Sequence, residues 1–407
     1  MGDDVCDVNY TVKNISEYVI GNLGERCQSI SIILPTIVIY LAIFLVGLFG
    51  NICTCIVIVA NKSMHNPTNF YLFSLAVSDI IILVLGLPME LYQSLDFAYP
   101  YRFGIEVCKA RAFLIEFTSY ASIMIICCFS FERWLAICFP LRVKIFSTLW
   151  RANVLIVLAW SISFFAALPM AFIVVVNKLP LPNEIFGNET WISDVSADRI
   201  HVDRTEYCGM ASTKGDEQKK LIYIAFFAFF VIPAILIILM YSHIAVRLNE
   251  TKLDKSINKH KSLVERRNRS NKTVLKMLFS VVITFFLCWL PFHIQRLLSV
   301  YMMNIDPTTS LSPSVQFLSM IVYYISGFCY YSNSAANPIL YNILSQKYRK
   351  AFCRTILGRK ITSVLINRTS NSTFAHRSSY DKMSQKTRHI SIRSNISKKA
   401  SNSPSMV

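Results

Sequence analysis

Five stretches of this chain contain no Asp, Glu, Lys or Arg: 27–61, 152–177, 221–246, 277–295 and 307–346. A helix of about 20 mostly apolar residues crosses a bilayer, and each stretch reaches about that length. Only 16% of the residues are charged and 54% are hydrophobic, where a soluble chain carries roughly 25% charge. The shortage excludes a disordered chain and argues against a soluble enzyme. The pattern is that of an integral membrane protein.

Two further spans hold isolated charges. Residues 70–95 are apolar except for Asp79 and Glu90. Residues 105–138 are apolar except for Glu106, Lys109, Arg111, Glu116, Glu132 and Arg133, most of them near the ends. The reading is an all-α membrane protein, a bundle of seven transmembrane helices near 30–60, 68–96, 105–138, 149–173, 219–248, 271–302 and 314–342. The runs are too long and too continuously apolar for barrel strands. The first 26 residues are polar and show no cleavable signal, so the first span is expected to direct insertion.

Basic residues set the orientation. The connection between the fifth and sixth spans holds Arg247, Lys252, Lys255, Lys259, Lys261, Arg266, Arg267, Arg269 and Lys272. After Ser345 come 14 Lys and Arg against one acid, Asp381, which is most of the net +17. Positive connections stay in the cytoplasm. That puts residues 1–29, with Asp3, Asp4, Asp7, Glu17 and Glu25, outside the cell, and seven crossings bring the C-terminus inside. The expected location is the plasma membrane. On such a chain the positive charge suits lipid and cytoplasmic partners rather than nucleic acid. The sequons at Asn9, Asn14 and Asn188 then face outside and are candidate glycosylation sites.

Four of the 12 cysteines fall outside: Cys6, Cys27, Cys108 and Cys208. Cys108 opens the third span, and Cys208 lies in the long connection after the fourth. A bridge between them would pin that connection over the bundle, at a surface where thiols oxidise. Cys6 and Cys27 are a second pair by elimination. Cys353, beside Lys350 and Arg354, is a candidate palmitoylation site, with an idle thiol as the alternative. Residues 345–357 are expected to form a short amphipathic juxtamembrane helix. Residues 358–407, rich in Ser, are expected to form a disordered cytoplasmic tail that kinases could phosphorylate.

Each span carries polar or helix-breaking residues that are expensive in lipid. These are Gly50-Asn51; Leu75-Ala76-Val77-Ser78-Asp79; Glu132-Arg133-Trp134; Trp160; Pro233 and Tyr241; Trp289-Leu290-Pro291; and Asn333-Ser334-Ala335-Ala336-Asn337-Pro338, followed by Tyr341. In this order they resemble the rhodopsin-like (class A) G-protein-coupled receptors over roughly residues 30–353. Finer runs, Leu87-Pro88-Met89-Glu90-Leu91-Tyr92, Pro291-Phe292-His293-Ile294-Gln295-Arg296 and Tyr331-Ser332-Asn333, resemble the neuromedin U receptor branch and its pyrokinin relatives.

The resemblance implies roles. Asp79, Ser122, Asn333 and Asn337 would surround a sodium ion; the chain requires no other cofactor. Glu132, Arg133 and Trp134, with Tyr241, Trp289, Pro291, Asn337, Pro338 and Tyr341, would form the activation switch, Arg133 being held by the adjacent acid at rest and facing the G protein when active. Pro291 and Pro338 lack an N–H and leave the carbonyls of Leu287 and Ser334 without helical partners, which permits pivoting. Arg133 lies 25 residues from Cys108, about 37 Å along a helix and so at the opposite membrane face. Two departures stand out. The third-span motif ends in Trp rather than Tyr. The inner end of the sixth span offers no acid beside Asn268, Arg269, Asn271 and Lys272, so a latch from Arg133 to that span is not expected and some basal activity is.

Ligand classes narrow similarly. The seventh span has no Lys for retinal, and the third has no Asp for an amine. Glu90 lies 11 residues after Asp79, and eleven steps of 100° return to nearly the same inward face. Glu116 is eight residues below Cys108, about 12 Å into the bundle. Two inward carboxylates suit an Arg side chain of a ligand. Arg296 can satisfy one acid at a time, which leaves one for the ligand. The resemblance implies an amidated, Arg-containing neuropeptide bound by Glu90, Glu116, His293, Arg296, Tyr323 and Tyr331, with signalling mainly through Gq-type G proteins and calcium. His293 could equally be a satisfied core residue. The long loop's Glu184, Glu189, Asp194, Asp198, Asp203 and Glu206 could attract a basic peptide. Receptors of the neurotensin, ghrelin or thyrotropin-releasing-hormone kind are the alternative. A transporter is the rival class, disfavoured by dissimilar halves. No spacing of the seven His supports a metalloenzyme.

Overall fold

The computed structural model of the protein describes residues 13–95, 99–139, 148–181, 195–253, 261–302, 313–344, 346–356 and 358. The expected seven spans are present as α2 (Ile30–Ala60), α3 with α4 (Pro67–Leu85 and Leu87–Leu95), α5 (Gly104–Cys138), α6 (Thr148–Ile173), α7 with α8 (Gly215–Phe226 and Ile232–Leu253), α9 (Lys261–Met302) and α10 (Pro313–Leu344). Among the described residues, six spans are long and apolar enough to cross a membrane by composition alone. The remaining span, α10, is richer in Ser, Asn and Tyr, but it packs against α9 and α2.

The ends follow local chemistry. Asn66 caps α3 by accepting the backbone N–H of Asn69 at 3.2 Å, and Pro67 takes the first helical position, where a missing N–H costs nothing. The second span, expected as one helix over 68–96, breaks at Gly86. Pro88 cannot donate to the carbonyl four residues back, so the chain restarts as α4 with the proline in its first turn. The fifth span contains a wider π turn over Phe227–Val231, just before Pro233. The sixth begins at Lys261, ten residues before the expected boundary, because neither Gly nor Pro stops the helix in the charged connection.

The bundle is apolar outside and polar within, as lipid demands. α2 shows Leu34, Val38, Leu41, Leu45 and Phe49 outward, while Tyr40, Asn51 and Thr54 are buried. α5 occupies the middle, packed on α3, α6 and α8. Over its outer end lies an antiparallel hairpin of β1 (Val174–Asn177) and β2 (Tyr207–Met210), with Val176 opposite Cys208. Cys208 is bonded to Cys108, with Cα atoms 5.7 Å apart, so the expected bridge holds the hairpin down. Cys27 is also disulfide-bonded; Cys6 lies outside the described residues.

The N-terminal segment is not the plain polar arm expected. Lys13–Leu23 forms helix α1, whose Ile15 and Val19, one turn apart, are completely buried with Tyr99, Leu179 and Val202. Tyr18 donates its hydroxyl to the Pro180 carbonyl at 3.0 Å. Each such side chain contributes about 1.5–3 kcal/mol, enough to hold an 11-residue helix that would not persist alone.

Residues 347–407 form a second unit. Its described residues are Gly358 and all of helix α11 (Gln346–Ile356) after Gln346; within the helix Tyr348 and Phe352, one turn apart, bring their rings to 6.3 Å. The expected tail, 358–407, lies outside the described residues except for Gly358, as do Asn9 and Asn188 and the side chain of Asn14.

Candidate functional site

In the outer half of the bundle a buried carboxylate, Glu116, and a partly buried one, Glu90, each meet a guanidinium. Glu116, 4% exposed, pairs with Arg296 of α9, and the Arg296 guanidinium also lies 5.4 Å from the Phe292 ring. Glu90 pairs with Arg111 of α5 and accepts the Tyr323 hydroxyl at 3.0 Å. Arg296 therefore satisfies one acid, as expected, but the second acid is not left over: Arg111, three residues after Cys108, takes it. What remains is a single oxygen. Glu116 Oε2 is buried without a partner, and so is His293 Nε2. His293 sits among rings, 4.8 Å from Phe230 and 5.8 Å from Phe226. Tyr331 packs edge-on to Tyr40 and Tyr330.

Tyr323 joins this cluster to the exterior. It lines a cavity of about 950 Å³ bounded by Leu23, Glu25 and Ser29, by Gln295 and Ser299 of α9, and by Phe317 of α10. The acids of the long loop that are described already have basic neighbours. Glu206 meets Lys178 at 3.2 Å, Asp203 meets Arg204 at 3.7 Å, and Asp198 meets His201 at 2.7 Å. Glu184, Glu189 and Asp194 lie outside the described residues.

Midway through the bundle, Asn337 donates its amide to Asp79 at 2.9 Å. Ser122 shares a 2.8 Å hydrogen bond with Ser78, and Asn333 lines a cavity of about 20 Å³ with Asn337, Tyr341 and Tyr71. The Ser334 carbonyl, freed by Pro338, accepts Asn51 Nδ2 at 2.8 Å. Asn51 Oδ1 is left buried and unpartnered. One carboxylate among hydroxyl and amide oxygens is a hard donor set that fits a small cation such as sodium. Trp289, whose indole N–H has no partner, lies edge-on 5.8 Å from Tyr330.

At the inner end, Glu132, Arg133 and Trp134 turn to three different helices. Glu132 accepts Arg151 of α6 through contacts of 2.7, 3.0 and 3.2 Å. Arg133 donates to the Thr68 hydroxyl on α3. Trp134 donates its indole N–H to His243 Nδ1 of α8 at 3.0 Å, and Tyr241 shares a 2.7 Å bond with Ser130. In this structure the hydrogen bonds of Glu132 go to the fork-shaped guanidinium of Arg151 rather than to the adjacent Arg133. The side chains at the inner end of α9, on which the missing latch depends, lie outside the described residues.

The model of the 7 transmembrane receptor (rhodopsin family) matches residues 50–341. The chain belongs to that family. The receptor is 70% identical to the neuromedin U receptor homolog nmur-2 of Caenorhabditis elegans over 358 residues, 88% of each chain. It is 32% identical to the pyrokinin-1 receptor of Drosophila melanogaster over 86% of each, and 34% identical to human neuromedin-U receptor 2 over 79% of this chain and 72% of that one. The family is one of receptors, not enzymes, and its matched region spans the membrane helices from α2 to α10.

Sequence reading missed Arg111, Arg151 and His243 as partners in the receptor. A parity argument could have found the first. Glu90 and Glu116 both lie in the outer half of the bundle, where each needs a cation, and Arg111, like Arg296, is within that half. No comparable signal marks Arg151 or His243, which lie 19 and 109 residues from their partners.

Proposed function

We propose that this receptor binds an amidated neuropeptide through an Arg side chain and activates a heterotrimeric G protein, chiefly of the Gq type, raising intracellular calcium. The observation that carries the reading is the buried Glu116 carboxylate, whose Oε1 is engaged by Arg296 and whose Oε2, near the Tyr120 hydroxyl, makes no close hydrogen bond. A carboxylate can accept from two guanidinium groups at once. Glu90 would take part by exchanging its Tyr323 or Arg111 contact for the ligand. The cavity lined by Tyr323 offers a route from outside. The similarity to neuromedin U and pyrokinin receptors supports the same peptide class, and the inner-face position of Arg133 supports G-protein coupling. A sodium ion held by Asp79 with Asn333 and Asn337 belongs to the same reading, as do an outside N-terminus and arrestin recruitment by the phosphorylated tail.

The test uses cells expressing the full chain and a panel of peptides: amidated and Arg-containing, the same peptides as free acids, and the same peptides with citrulline for Arg. Calcium release and guanine-nucleotide exchange driven by the first set alone support the proposal. Equal responses to the citrulline set would overturn it.

A further inference from the structure

Consecutive residues on a helix point 100° apart, so Glu132, Arg133 and Trp134 cannot share one partner. Which partner each finds is a property of the surrounding helices. The Glu132 carboxylate is 3% exposed and needs a cation. Two are within reach. Arg133 is adjacent, and Arg151 stands in the first turn of α6. Arg151 holds both carboxylate oxygens, a paired geometry that Arg133 would have to bend back to reach. The register of α5 is fixed independently of this contest, by Trp134 on His243 and Ser130 on Tyr241. Arg133 donates its hydrogen bond to the neutral Thr68 hydroxyl, with its guanidinium 5.8 Å from the Phe129 ring and its Nε without a hydrogen bond, while Glu132, Tyr241 and Tyr71 remain close enough to act on its charge.

We propose that Arg151 is a positioning residue that sets the receptor's basal activity. By occupying Glu132 it denies that acid to Arg133 and keeps the arginine available to a G protein. The inference rests on the reading of Arg133 as the coupling residue. It predicts a consequence opposite to that of an ordinary stabilising ion pair. Removing Arg151 leaves a buried carboxylate whose nearest cation is Arg133, so Arg133 is captured and basal signalling falls.

The experiment measures agonist-free nucleotide exchange on membranes holding the full-length receptor and a Gq-class heterotrimer, normalised to surface receptor. Arg151→Gln should lower basal exchange by roughly threefold or more, a shift of about that size in a two-state equilibrium. Arg151→Lys, which keeps the charge but not the fork, should fall between. Adding Glu132→Gln to Arg151→Gln should raise exchange from the level of the single variant, because no carboxylate remains to capture Arg133. Glu132→Gln alone should change exchange little, because Arg151 already occupies that acid; a merely structural Arg151 would give the same gain from Glu132→Gln with or without Arg151. Should Arg151→Gln fail to reach the surface, the Lys variant and the double variant carry the test. Unchanged or raised exchange in Arg151→Gln, a double variant no higher than the single, or wild-type exchange no higher than that of Arg133→Ala overturns the inference. Stimulation by an amidated Arg peptide separates the two failures. If the peptide still drives exchange in wild type and not in Arg133→Ala, only the role of Arg151 falls; if it drives exchange equally in Arg133→Ala, the coupling reading falls as well.

Discussion

Replacing Glu116 by Gln removes two interactions at once, and the structure separates them. One is the observed pair of Oε1 with Arg296; the other is the proposed ligand contact at Oε2, which makes no close hydrogen bond although Tyr120 is near. Losing one partner of a buried charge pair costs about 2–5 kcal/mol. The lower part of that range applies here, because Arg296 already draws on the same carboxylate. A loss of about 2–3 kcal/mol is about a 30- to 150-fold fall in peptide affinity. The same change strands Arg296, 10% exposed, without its counter-ion, so surface expression should fall too, and Glu116→Gln with Arg296→Gln should recover part of it. The assay is competition binding on intact cells, with the Arg peptide and its citrulline twin against wild type and Glu116→Gln. If Oε2 reads the ligand's charge, wild type loses affinity for citrulline by a similar factor, and the variant loses less than about threefold further. Losses that simply multiply, as for independent sites, would refute the direct contact and leave Glu116 as a structural partner of Arg296.

Three further outcomes are expected. Cys108→Ser or Cys208→Ser should abolish surface peptide binding, because the bond closes a loop of 100 residues, worth about 4.7 kcal/mol of unfolded-state entropy; retained binding to a non-reducible variant would count against it. Arg133→Ala should keep peptide affinity within about threefold of wild type while exchange is lost, since Arg133 lies 17 residues below Glu116 on the same helix, about 25 Å from the pocket; unchanged exchange would contradict this. The Asp198 carboxyl is held down to about 2 by the backbone N–H of Ile200 and then by the His201 side chain. A lowered carboxyl stabilises the fold above its ordinary value and stops doing so below its folded one, so the local turn at residues 198–201 should loosen only between about pH 4 and pH 2. Peptide affinity should therefore show no Asp198-dependent change from pH 7 to pH 5, and a change abolished by Asp198→Asn would refute this.

The sequence by itself determined the number and order of the spans, the bridge to Cys208 and the depth of each polar residue, because lipid imposes helical length and helical rise converts residue number into depth. It also determined that Pro338 frees a carbonyl. It could not say that Asn51, 283 residues away from Ser334, would take it. The helix α1 escaped notice because its buried stripe is only Ile15 and Val19, which mean little until Tyr99, Leu179 and Val202 are brought over them. The same limit governs the charges. Spacing placed Glu90, Glu116 and Glu132 inside the bundle, yet a carboxylate in lipid accepts whichever guanidinium the neighbouring helix presents. That choice depends on how α5 is rotated against α3, α6 and α9. Tertiary packing therefore decided that Arg111 answers Glu90, that Arg296 leaves one oxygen of Glu116 open, and that Arg151 rather than Arg133 holds Glu132.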